Sequence, residues 1–116
     1  MLKRDKEFLA FQREFTKYQK LFGLMSYKVY FKYEPLKECF AQIDCSQIDR
    51  VATVSLNSDL PDKDKPYRST SLSAKHEACH LLINNLQACA RSRYIREAEI
   101  YEACEEIVNR LENLIP

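Results

Sequence analysis

His76-Glu77-Ala78-Cys79-His80 is the stretch of this 116-residue chain whose residue types and spacing point to hydrolytic chemistry. The pattern His-Glu-x-x-His has meaning only on a helix, where residues four apart share a face and rise ~6 Å. Two imidazoles so placed can grip one divalent cation. The glutamate beside them lies about a hundred degrees round the helix. From there it reaches a water on the metal more readily than the metal itself, as a general base must. At average residue usage a chain of this length shows the pattern by accident roughly three times in a thousand. Both of the chain's histidines fall inside it.

A catalytic zinc site takes three protein ligands and leaves one position open for water. No third histidine exists, so the third donor is expected from the acidic end of the chain, where Glu97, Glu99, Glu102, Glu105 and Glu106 are available. With Val108 and Leu111 taken as pointing inward, Glu105 lies at the border of the apolar stripe and Glu106 points nearly opposite. Glu105 is the preferred metal ligand, with Glu97 and Glu102 as alternatives.

The elements that must position these residues follow from hydrophobic period. Phe8, Phe11, Phe15, Tyr18 and Phe22 recur at three and four residues, which predicts a helix from Lys3 to Phe22, and Gly23 is suited to end it. Tyr27, Val29, Phe31 and Tyr33 alternate with polar neighbours, predicting a strand that stops at Pro35. A weaker strand is expected over Leu36 to Asp44 and a third over Arg50 to Leu56. Short connections between them suggest an antiparallel meander. Residues 57–68, with Pro61, Pro66 and three aspartates, read as a surface flap. Its Asp62-Lys63-Asp64 lacks the glycine and distal glutamate of a calcium loop. Ser69, Thr70, Ser71 and Ser73 are N-cap candidates for the histidine helix, expected to run to about Gln87 with Leu72, Cys79, Ile83 and Leu86 on the histidine side. A last helix is expected from Tyr94 to Leu114, with Ile100, Cys104, Ile107, Leu111 and Leu114 as its stripe. The expected class is α+β: an N-terminal helix, a three-stranded antiparallel sheet, the motif helix and a C-terminal helix in one domain spanning residues 1–116.

Composition narrows the functions. A hydrophobic share of 46%, a charged share of 30% and a net charge of +1 describe a globular chain with no overall basic footprint for nucleic acid. Residues 1–20 carry six Lys or Arg against three acids, and residues 94–116 carry two Arg against six Glu, which reads as the solvated faces of a basic and an acidic helix. No apolar run approaches the ~20 residues of a membrane span. Five cysteines with no CxxC spacing suggest reduced thiols, and with no apolar leader the chain is expected in the cytosol.

The order of elements, His76-Glu77-Ala78-Cys79-His80, and the closing Glu105-Glu106-Ile107-Val108-Asn109-Arg110-Leu111-Glu112 resemble the very short metallopeptidases encoded by phages and prophages. These are minimal gluzincins, also similar in layout to SprT-like and ImmA-like peptidases. The resemblance covers most of the chain from about Leu21, and a later histidine of the SprT pattern is missing. It implies a zincin-like fold, zinc as cofactor, His76, His80 and Glu105 as ligands, Glu77 as general base, a peptide or protein substrate and the cytoplasm of a bacterial host.

The mechanism expected is metal-assisted amide hydrolysis, with Tyr67, Arg68, Tyr94 or Tyr101 as candidates for stabilising the oxyanion. The third strand, ending in Val54-Ser55-Leu56, is expected to offer a free edge to a peptide. Two competing classes remain. One is a non-catalytic zinc module acting as a phage or prophage interaction protein. The other is a metal-free binding protein using its basic first helix, nucleic acid being an unlikely partner because Phe8, Phe11 and Phe15 have the spacing of core residues.

Overall fold

The computed structural model describes residues 2–116, apart from the side chains of Arg4 and Tyr67. Its elements in order are α1 (Lys3–Leu21), β1 (Lys28–Glu34), β2 (Ala41–Ser46), β3 (Val51–Asn57), a short 3-10 turn (Lys65–Tyr67), α2 (Thr70–Leu82), α3 (Asn84–Arg91) and α4 (Glu97–Glu112). Four helices and one three-stranded sheet make the α+β class expected. No helix among the described residues is long and apolar enough to cross a membrane.

One face of the sheet carries the core. Phe11 and Phe15 of α1 are fully buried, each edge-on to Phe31 of β1, while Phe8 stacks on Tyr33. Ala52, Val54 and Leu56 of β3 face the same way and meet Ala74, Ala78, Leu81 and Leu82 of α2. The alternation in β1 and β3 and the aromatic spacing in α1 thus place α1 and α2 side by side on one face. The other face of β1 shows Lys28, Tyr30 and Lys32 to solvent. Gly23 sits at φ +71 after α1, a conformation that costs other residues strain. A Cβ there would also meet Arg110 Nη1 at 2.8 Å.

The antiparallel meander is corrected. The spatial order is β1-β3-β2, with β3 antiparallel to β2 and parallel to β1. The second strand also starts five residues later than expected, at Ala41. Both departures have one cause. Residues 35–40 are not strand but a crossing around the end of β3, and the buried side chain of Asn57 holds it there. Asn57 Oδ1 accepts from the Leu36 and Asp59 amides, and Nδ2 donates to the Leu36 and Cys39 carbonyls. With the crossing tied at that point, β3 enters between its predecessors and becomes the central strand.

The helix predicted from Ser69 to Gln87 is two helices. Ser69 caps it, its hydroxyl accepting from the Leu72 amide, but the helix breaks at Ile83 before resuming as α3. The last helix is shorter than predicted, and its orientation differs. Ala103 is its buried residue, and of the expected stripe Ile107 is half-buried and Leu114 packs on the core, whereas Ile100, Cys104 and Leu111 are exposed. Ala103 lies about 80° round from Leu111 at 3.6 residues per turn. Polar clamps set that rotation: Asn85 donates to Glu106, and Arg110 donates to the Phe22 and Gly23 carbonyls at the end of α1.

Candidate functional site

His76 and His80 project from one side of α2, as four-residue spacing requires, and their Nε2 atoms stand 3.2 Å apart with the rings edge-on at 4.8 Å. Two nitrogens bound to one tetrahedral zinc at ~2.0–2.1 Å lie about 3.3 Å apart, so the observed bite matches a shared cation. The same separation suits an N–H···N hydrogen bond when one ring donates. Both rings are solvent-accessible, and of the residues expected beside them Leu72, Cys79 and Ile83 are exposed while Leu86 is half-buried. The core face of α2 is the other one.

Glu77 lies toward the sheet and is 5% exposed. Burial raises its carboxyl above the ordinary carboxylate range, while His80 and then His76 pull in the opposite direction. A carboxyl with that environment next to two imidazoles is poised to exchange protons.

Across from the motif runs β2, and the two walls enclose a cleft of two adjoining hollows of about 360 and 370 Å³. His76, Glu77, Cys39 and Ala41 line both. Ser69, Leu72 and Ser73 close one end; His80, Asn84, Gln87 and Arg91 run along the other. Asn84, Gln87 and Arg91 continue the histidine face at helical spacing from His80, so extending the stripe past the motif would have found them. Cys39 and Cys45 carried no motif signal. Burial raises both thiols, Cys45 to about 11 with help from Asp44 and Glu77, and Cys39 with help from Glu77. The five cysteines are free thiols.

The free edge beside the cleft is β2, because β3 lies in the middle of the sheet. This corrects the assignment of that edge to Val54-Ser55-Leu56. The Asn57 amide donates to the Phe40 carbonyl, so alternation directs the hydrogen bonds of Gln42, Asp44 and Ser46 to β3. The amides and carbonyls of Ala41, Ile43 and Cys45 therefore face outward.

Glu105 is not joined to the histidines. Among the described residues no three His, Cys, Asp or Glu side chains are gathered to hold a metal ion. Glu97 and Glu102 are exposed on α4, and Glu106 is bound by Asn85. Of the oxyanion candidates, Arg68 is buried and donates to the Asn57 and Phe40 carbonyls. Tyr94 and Tyr101 stand in solvent and line neither hollow, and the side chain of Tyr67 lies outside those described. No protein-family model, curated protein or solved structure matches the chain.

Proposed function

We propose that this protein is a small zinc-dependent metallopeptidase, with His76 and His80 gripping the ion, Glu77 as general base and an extended peptide laid along β2. The 3.2 Å approach of the two imidazoles beside a buried carboxyl, in a cleft edged by a free strand, carries the reading. Bound zinc would supply an acidified water and a charge to polarise the scissile carbonyl.

The chain's own residues do the rest. Outward amides and carbonyls of Ala41, Ile43 and Cys45 pair with substrate backbone, which is indifferent to sequence and holds the peptide extended. Glu77, shielded from solvent, takes a proton at its carboxylate and returns it to the leaving amine. Five free thiols accord with the reducing cytoplasm of a bacterial host, the setting that goes with this reading.

The test is metal content and turnover on an unfolded casein-type protein. Wild type should retain about one equivalent of zinc and cleave. Glu77→Gln should keep the metal and lose turnover, and His76→Ala should lose both. A protein that holds no zinc refutes the reading. A Glu77→Gln variant that keeps both metal and biological effect favours the non-catalytic zinc module instead.

A further inference from the structure

We infer that this protein pairs with a second copy of itself through two reciprocal contacts, each setting the acidic, apolar-striped outer face of α4 against the basic outer face of the other copy's α1. The pairing is independent of the metal centre.

The row of apolar residues on α4 is the first observation. Tyr101, Cys104, Val108 and Leu111, with Ile115 just past the helix end, recur at three and four residues, the period at which one helix packs along another. All are exposed, Tyr101 at 65%, Val108 at 51% and Ile115 at 68%. A helix face that meets only water has no need of such a row. Glu97 continues it by one turn, and Glu105 and Glu112 border it along one side. Among the described residues none of these three carboxylates is in an ion pair.

The complement lies on α1. In helical projection Leu2, Lys6, Leu9, Arg13, Lys17 and Lys20 fall within about 40° of the direction opposite the buried Phe11, Phe15 and Phe22, and all six are exposed. The two glutamates of α1 are drawn away toward α2, where Thr70 donates to Glu7 and Ser71 to Glu14. Glu14 also pairs with Lys17, which leaves Lys6, Arg13 and Lys20 without an ion pair among the described residues. Three unpaired cations around Leu2 and Leu9 thus match three unpaired carboxylates around the α4 row.

Charge also decides which faces meet. Two α4 rows laid together would set Glu105 and Glu112 among like charges, and two α1 faces would do the same with lysine and arginine. A single contact along the 16 residues of α4 is about 24 Å long and ~10 Å wide, well short of the ~800 Å² per partner of a standard interface. A twofold arrangement makes the contact twice and closes, so no further copies add.

The experiment is sedimentation of the full chain at concentrations up to about 0.1 mM, with reductant so that Cys104 cannot cross-link. Wild type should be a dimer. One variant carries Lys6→Glu with Arg13→Glu and a second carries Glu105→Lys with Glu112→Lys, so that each alone presents two faces of one sign. Each should raise the dimer Kd at least tenfold while circular dichroism stays that of the folded chain. Their equimolar mixture should recover the dimer, because the reversed faces match across both contacts. Val108→Ser should weaken pairing with no change of charge. A monomeric wild type overturns the proposal. So does a dimer that survives Lys6→Glu with Arg13→Glu, which would put α4 against α4, and so does loss in both charge variants without recovery on mixing.

Discussion

Asn57→Ala should be the most damaging single polar substitution, because one buried amide ties the crossing between β1 and β2 to the end of β3. The side chain is 2% exposed and makes four hydrogen bonds, all to backbone groups of residues 36–39 and 59. At about 0.5–1.5 kcal/mol net each, and with the partners left unsatisfied when the amide goes, the expected loss is about 3–4 kcal/mol. In a domain of 116 residues that lowers Tm by roughly 12–16 °C. Urea titration followed by far-ultraviolet circular dichroism should show a lower midpoint with an unchanged m-value. Hydrogen exchange should report the cause, with the Leu36 and Asp59 amides losing protection before those of the β1–β3 ladder. A loss below about 1 kcal/mol, or exchange at Leu36 no faster than in wild type, would refute the view that this amide directs the crossing.

Other expectations concern packing, backbone and thiols. Phe15→Ala, at a fully buried position against Phe31, should cost about 3–5 kcal/mol by chemical denaturation, whereas Leu9→Ala on the exposed side of the same helix should cost well under half as much. Gly23→Ala meets both a φ of +71 and the Arg110 guanidinium, so it should lower Tm by several degrees, and adding Arg110→Ala should recover part of the loss. Cys45, its thiol raised to about 11, should alkylate far more slowly at pH 8 than exposed Cys79 and Cys104, as read by mass spectrometry. A thiol raised in the folded state favours folding below its unfolded pKa, and that contribution disappears as pH rises through about 11. Cys45→Ala should therefore flatten the fall in stability over that alkaline range.

Local periodicity was enough to place α1, β1 and β3, since aromatic spacing in Phe8–Phe22 and alternation in Tyr27–Tyr33 and Ala52–Leu56 each admit one buried face. It also placed His76 and His80 together, because four residues on a helix determine that neighbourhood whatever surrounds it. Strand order was not legible, because it depends on a buried amide at position 57 reaching back to residues 36–39, a contact no local pattern announces. Nor was the rotation of α4 legible. Its stripe of Ile100, Cys104, Ile107, Leu111 and Leu114 has helical period, yet the buried side is rotated to Ala103, with Ile107 half-buried and Leu114 on the core, where hydrogen bonds from Asn85 and Arg110 hold the helix. Residue spacing along one element determines which side chains share a face, and only contacts between elements distant in sequence decide what that face meets. Here that second decision gave the histidines β2 and Cys39 as the opposite wall of their cleft.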